Sequence, residues 1–153
     1  MDNATINWFQ GMIKLSDIKE SRDKNLDKHG FYVILTGKFD PPSGQYTDIK
    51  LQYIGQAYKQ TIRVRILQEH DAYTEIAKYL KKNIGFELLV MSGTIATSSL
   101  AKLTYQFIDD VEACLIFDNQ PLCNTRNMDS YNGRNITVNN TGDYLPLQQV
   151  SIC

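Results

Sequence analysis

The chain has 153 residues, a net charge of −1 and a hydrophobic fraction of 42%, which fits one globular domain. No apolar run approaches the ~20 residues that a membrane-spanning helix needs, and the N-terminus lacks the pattern of a secretion signal. We therefore expect a cytoplasmic protein without a membrane partner. The number of cysteines, three, is odd and no CxxC pair exists, which argues against a disulfide framework or a zinc site and favours free thiols in a reducing cytoplasm.

The N-terminal segment is predicted to be separate from the main domain. Ile6, Phe9 and Ile13 lie at spacings of three and four, which predicts a short amphipathic helix within residues 5–19. Residues 20–29 mix acidic and basic side chains and indicate a solvated connector. We therefore divide the chain into an N-terminal helix and charged connector, residues 1–29, and a main domain with a C-terminal extension, residues 30–153.

The main domain begins with two predicted strands, residues 31–35 and 49–54, joined by a loop that contains two prolines. Helices are predicted over residues 60–70 and 72–82, a third strand over residues 86–91, and a long helix over residues 100–118, capped by Ser98 or Ser99. Residues 131–138 alternate again, which predicts a short C-terminal hairpin with its turn at residues 140–142. The expected fold is α+β, with a small, mostly antiparallel three-stranded central sheet flanked by helices.

Tyr32 and Tyr53 are the first candidate site residues, because each lies in a predicted strand close to a glycine. Each is compatible with a core tyrosine whose hydroxyl reaches the strand edge. On adjacent antiparallel strands, however, both hydroxyls can converge on one point. Gly30 and Gly55 would then allow a close approach of the backbone.

Glu112 is the second candidate, because it lies beside an apolar stripe of the long helix, where an unpaired charge is costly. It is either an edge glutamate that reaches solvent or a single metal-binding carboxylate. Asp109 lies on roughly the same side and can assist it. Asp110 points elsewhere, and we expect it to be solvated.

Arg63 and Arg65 are alternative candidates for gripping a phosphate, although a surface helix also contains solvated arginines. His70 lies near the predicted end of the helix and either caps it or transfers protons. Asn124, after the long helix, either shapes a turn or fixes a loop beside a metal ion.

The order of these segments resembles the GIY-YIG nuclease family over about residues 30–125. The matching segments are Gly30-Phe31-Tyr32, Tyr53-Ile54-Gly55, Thr61–Ile66, Val111–Ile116 and Gln120–Thr125. The resemblance implies a GIY-YIG-like fold and a metal-dependent DNA endonuclease. It also implies that Glu112 holds one Mg²⁺ or Mn²⁺ ion.

The resemblance further implies roles for the other candidates. Tyr32 would help to activate the attacking water, and Tyr53 would lie near the phosphate. His70 and Asn124 would be supporting residues, although the interval between the arginine and His70 is one residue longer than is usual in the family. The spacing from Tyr53 favours Arg63 as the catalytic arginine, whereas the apolar frame of Ile62 and Ile66 favours Arg65, which we choose.

The expected activity is one-metal hydrolysis of DNA phosphodiester bonds, with RNA as an alternative substrate. A net charge of −1 argues against bulk electrostatic capture of DNA. The alternative to an endonuclease is therefore a non-catalytic GIY-YIG-like module that binds nucleic acid or protein. Four basic side chains are candidates for phosphate contacts: Lys59, Arg63, Arg126 and Arg134.

Overall fold

The computed structural model describes residues 1–68 and 71–153, which fold around one seven-stranded sheet. The strands are β1 (Asp2–Trp8), β2 (Ile13–Lys14), β3 (Gly30–Asp40), β4 (Gln45–Ala57), β5 (Phe86–Ser98), β6 (Ile136–Gly142) and β7 (Val150–Ile152). The helices are α1 (Ile62–Leu67), α2 (Asp71–Lys82) and α3 (Tyr105–Asn119). The order across the sheet is β4-β3-β5-β1-β6-β7, and β2 pairs with β5.

Strand β3, which lies next to the edge strand β4, belongs to the part of the sheet that positions the site. It pairs antiparallel with β4 on one side and with β5 on the other. Phe31, Val33 and Leu35 pack with residues of α3, whereas Tyr32 and Ile34 pack with residues of α1 and α2. Because both faces of β3 are covered, its sequence is a continuous apolar run and does not alternate.

The predicted three-stranded sheet is wrong, because the sheet extends well beyond β3, β4 and β5. The predicted strands at residues 31–35, 49–54 and 86–91 lie within these three. However, β1 pairs antiparallel with the far side of β5 and parallel with β6. The sheet is therefore mixed, with seven strands within the described residues.

The predicted N-terminal helix is also wrong, because residues 2–8 form β1. Ala4, Ile6 and Trp8 are fully buried, or nearly so, and alternate with more exposed residues. This period of two places one face of β1 in the core. β1 belongs to residues 1–29, and it lies between β5 and β6 in the same sheet.

The C-terminal segment differs from the predicted hairpin. Residues 140–142 belong to β6 and form no turn, and the antiparallel partner of β6 is β7. The cap of α3 also differs, since the Thr104 side chain accepts a hydrogen bond from the Phe107 amide at 3.1 Å, in place of Ser98 or Ser99. The long helix consequently begins at Tyr105 rather than near residue 100.

The cysteines do not match the expectation of free thiols. A disulfide joins Cys114 of α3 to Cys153, which follows β7, and Cys123 is free and buried. Disulfides persist in oxidising compartments, so the cysteines no longer support a cytoplasmic location. None of the helices in the described ranges is long and apolar enough to cross a membrane.

Candidate active site

A cavity of about 980 Å³ lies beside the edge strand β4. Its walls come from β3, β4, all three helices and the loop that follows α3. Six of the residues selected from the sequence line it: Tyr32, Tyr53, Arg65, Glu112, Asn124 and Arg126. Residues that are far apart along the chain therefore meet in one place.

The loop after α3 runs along the edge of β4 that β3 leaves open. The Cys123 amide donates a hydrogen bond to the Gln52 carbonyl at 2.7 Å. The Asn124 side chain then accepts a hydrogen bond from the Ile54 amide at 2.9 Å and donates one to the Ile54 carbonyl at 3.0 Å. Asn124 thereby fixes this loop against the strand that contains Tyr53.

The Tyr32 phenol crosses the hairpin at a glycine. Tyr32 pairs with Gly55 in the β3–β4 register, and a Cβ at Gly55 would lie 2.5 Å from the Tyr32 hydroxyl oxygen. A side chain at position 55 would therefore collide with the phenol. Gly30 has a different role, because a Cβ there would lie 2.2 Å from the Gly93 carbonyl oxygen on β5.

The two phenols lie side by side on the cavity wall, with ring centroids 6.0 Å apart. Burial raises the pKa of both, and the positive charge of Arg65 opposes this shift. Tyr32 is fully buried, and its hydroxyl has no hydrogen-bond partner within 3.5 Å among the residues that the structure describes, although a longer contact with Tyr32 lowers the pKa of Tyr53. Buried hydroxyls without a partner are rare and costly.

Glu112 is half-buried on the α3 side of the cavity, and desolvation raises the pKa of its carboxyl to about 7. The negative charge of Asp109 adds to this rise in pKa. The charge of Arg65 and a hydrogen bond with the Gln56 backbone oppose it. At neutral pH, the carboxyl is therefore poised between its neutral and ionised forms.

Helix α1 separates the two candidate arginines. Thr61 caps it by accepting a hydrogen bond from the Val64 amide at 3.2 Å. At 3.6 residues per turn, side chains two positions apart point in nearly opposite directions. Arg65 lines the cavity, whereas the Arg63 Nε donates to Asp27 Oδ1 at 3.0 Å on the other side.

The other predicted phosphate contacts are dispersed. Arg126 lines the cavity, and Lys59, Arg63 and Arg134 are not among its lining residues. The Lys59 ammonium lies 5.2 Å from the centroid of the Tyr105 ring. His70 falls outside the described residues.

Arg134 is engaged in a small network beneath the cavity. Its Nε donates to Asp110 Oδ2 at 2.7 Å, and its Nη1 donates to Asp2 Oδ2 at 3.2 Å. The expectation that Asp110 is solvated is wrong, because its side chain is buried and paired with this guanidinium. The network joins α3 to the first residues of β1.

Gln56 is a site residue that the sequence analysis missed. Its Nε2 donates to Asp109 Oδ1 at 3.2 Å, and its Oε1 accepts from the Tyr58 amide at 3.0 Å. It lies on β4 directly after Gly55, so the alternation of the strand could have placed it on the side opposite Gly55. No sequence signal gives its contact with α3.

The donors in the cavity suit a hard divalent cation. Among the described residues, no group of three or more His, Cys, Asp or Glu side chains is placed to hold a metal ion. Mg²⁺ and similar ions need only one or two carboxylates, because they keep several water ligands. Glu112 is poised to ionise and lines this cavity together with the Tyr32 hydroxyl, which has no hydrogen-bond partner within 3.5 Å in the described ranges. Glu112 therefore fits such an ion.

Comparisons of the chain with protein-family models, curated proteins and solved structures found no match.

Proposed function

We propose that this chain is a divalent-metal-dependent endonuclease that hydrolyses DNA phosphodiester bonds by a one-metal mechanism. The observation that supports this most is that Tyr32, Tyr53, Arg65 and Glu112 line one cavity. These are the residues that the resemblance to GIY-YIG nucleases selects from four separate segments. The proposal therefore takes the chemistry of the site from this resemblance, but not the three-stranded sheet, because the sheet of this chain has seven strands within the described residues.

Arg65 and Arg126 would bind the scissile phosphate. Both line the same cavity as Glu112. A guanidinium stays charged at all relevant pH values and can donate two parallel hydrogen bonds to a phosphate. Fixed positive charge of this kind stabilises the negative charge that grows in the transition state.

Glu112 would hold the cation through its carboxylate oxygens. When bound, a divalent ion supplies Lewis-acid catalysis and neutralises charge on the phosphate and the leaving oxygen. Glu112 is half-buried, and its pKa is raised. The positive charges and hydrogen bonds of the protein therefore do not fully stabilise its ionised form.

Tyr32 would orient the attacking water. Burial raises the pKa of its hydroxyl, so Oη keeps its proton in the resting protein. A protonated phenol can accept a hydrogen bond from water while donating its own proton elsewhere. Arg65 lowers the pKa of Tyr32, so cationic charge in the cavity favours loss of the phenol proton to solvent and formation of the phenolate, which is the form that could accept a proton from the attacking water.

A non-catalytic binding module is the second candidate, and the charge of the cavity favours it. Within the described residues, its lining includes two arginines, Arg65 and Arg126, and five acidic residues: Asp71, Glu75, Asp109, Asp110 and Glu112. An excess of carboxylates repels a bare polyanion. Such a surface suits either a metal-dependent contact with nucleic acid or a protein partner.

Plasmid nicking tests the proposal. Purified wild-type protein with Mg²⁺ or Mn²⁺ should nick supercoiled DNA, and Glu112→Gln should reduce the rate by about 100- to 1,000-fold. Glu20→Gln, at an exposed position outside the cavity lining, is the matched control and should cut like wild type. Equal cutting by the Glu112 variant would contradict the assignment. Metal-dependent gel shifts without cleavage of any DNA or RNA offered would favour the binding module.

A further inference from the structure

We infer that Asp109 is a second carboxylate ligand of the cation site, so that Asp109 and Glu112 bind the ion together. The inference rests on the proposed function for the location of that site. It goes further by giving the site two acidic ligands, where the resemblance implies one.

The spacing of the two acids on α3 places their side chains together. Residues three apart are neighbours on a helix surface, with Cβ atoms about 5–6 Å apart. Asp109 and Glu112 both line the cavity, Asp109 at an exposed position and Glu112 at a half-buried one. A divalent ion that keeps several waters can be reached by both carboxylates from this one face.

Gln56, on β4, orients the Asp109 carboxylate. The hydrogen bond from the Tyr58 amide fixes the Gln56 oxygen, so the Gln56 amide group donates to Asp109 Oδ1. Positioned ligands of this kind are typical of metal sites, where an outer group holds each carboxylate in place.

Within the described residues, the two carboxylates share their cavity with Arg65 and Arg126 but form no ion pair with either. Among the described residues, Asp109 forms no ion pair, and neither does Glu112. Like charges at this spacing destabilise a helix, and a bound divalent ion removes that cost.

Asp110, next to Asp109, differs from it because protein side chains bind both of its carboxylate oxygens. Its Oδ2 accepts a hydrogen bond from Arg134 at 2.7 Å, and its Oδ1 accepts one from Gln106 at 3.0 Å. The protein thus neutralises Asp110 with its own groups. Asp109 accepts only the hydrogen bond from Gln56 within the described part of the chain.

The Tyr32 hydroxyl is an independent indication of a ligand in this cavity. It is fully buried, lines the same cavity as the two acids, and has no hydrogen-bond partner within 3.5 Å among the described residues. A buried hydroxyl without a partner is costly unless a bound group satisfies it. A water ligand of a cation is one group that could do so.

Mn²⁺ binding to the full chain, followed by electron paramagnetic resonance, tests the inference without measuring cleavage. Asp109→Asn should raise the Kd for Mn²⁺ by about 10-fold or more. Asp118→Asn is the matched control on the same helix, because Asp118 is exposed and lies outside the cavity lining. The asparagine can still accept the Ser151 hydrogen bond, so its Kd should stay within about twofold of wild type.

Salt separates a ligand from a charge that merely lies nearby. Screening shortens the range of exposed charges from about 10 Å at 0.1 M salt to about 3 Å at 1 M. If Asp109 binds the ion, the 10-fold difference should persist at 1 M KCl. A difference that disappears there, or an Asp109→Asn variant with wild-type affinity at either salt concentration, would overturn the inference.

A measurement on unaltered protein removes the question of whether the variant folds. With diamagnetic Mg²⁺, the side-chain carboxyl ¹³C resonances of Asp109 and Glu112 should both shift on binding. A shift of Glu112 alone, or a wild type that binds no Mg²⁺, would refute the second ligand.

The two proposals fail separately. Mn²⁺ binding that weakens in Asp109→Asn, in a protein that cuts no nucleic acid, would support the cation site and remove the nuclease. Cleavage that depends on Glu112, with Mn²⁺ affinity indifferent to Asp109, would leave the nuclease and remove the second ligand.

Discussion

At the scale of single residues, charge couples Glu112 to the two phenols of the cavity. Burial raises the pKa of Glu112, Tyr32 and Tyr53, and the charge of Glu112 raises the pKa of both tyrosines further. Arg65 lowers the pKa of all three groups. Removing Arg65 should therefore affect the whole cavity, whereas removing its neighbour Arg63 should not.

The metal-free protein should lose stability as the pH rises through the titration of Glu112. Its pKa is about 7 in the folded state, above the ordinary value of 4.5. The folded protein therefore holds a proton that the unfolded chain releases, so the free energy of unfolding falls between about pH 4.5 and 7 and levels off above that range. Urea unfolding in EDTA across this range should show the slope for wild type and a smaller one for Glu112→Gln. Equal slopes would contradict the raised pKa.

Matched substitutions of the two arginines should have opposite effects. Arg65→Gln should lower cleavage by about 100-fold or more with little change in Tm, because its guanidinium faces the cavity. Arg63→Gln should leave cleavage intact and cost about 1–2 kcal/mol of stability, since Arg63 bonds Asp27 and the Ile18 carbonyl. Rates and urea midpoints check both variants, and the reverse pattern would exchange their roles.

At the scale of elements, the site depends on how the chain after α3 is attached to β4. The Asn124 side chain forms two hydrogen bonds with the Ile54 backbone, as a paired strand residue would. Further along the same loop, Arg126 lines the cavity. The loop and the strand therefore act as one wall, on which both Tyr53 and Arg126 depend.

Substitutions of Asn124 should weaken the attachment of the loop to β4, and the effect should grow with the number of hydrogen bonds lost. Asn124→Asp keeps the acceptor for the Ile54 amide and loses the donor to its carbonyl, whereas Asn124→Ala loses both. We expect Asn124→Ala to cost about 1–3 kcal/mol and Asn124→Asp to cost less. Hydrogen exchange at the Ile54 amide should accelerate most in the alanine variant. Unchanged exchange would show that other contacts hold the loop.

At the scale of the whole molecule, the sequence predicts local elements better than long-range pairing. Strand β3 and helix α3 are visible because their patterns are strong over many consecutive residues. β1 is not, since Ile6, Phe9 and Ile13 have helical spacing. Its strand conformation is decided by pairing with β5 and with β6, far along the chain. The site could be predicted as an ordered set of motifs, whereas the Gln56 contact depends on that three-dimensional packing.

The disulfide is another long-range contact, because no local sequence pattern predicts that Cys114 and Cys153 pair. It joins residues 39 apart, and backbone hydrogen bonds between Cys153 and Ile136 also attach the C-terminal residue to the sheet. A link of this length stabilises by about 4 kcal/mol, mainly by restricting the unfolded chain.

Reduction should therefore lower the Tm of wild type and of Cys123→Ser equally, because Cys123 is free. Cys153→Ser should have a low Tm that dithiothreitol does not change. Thiol counting by mass spectrometry is the direct check, and three free thiols in oxidised protein would exclude the link. Because Cys114 does not line the cavity, reduction should leave Mn²⁺ affinity unchanged in protein that remains folded.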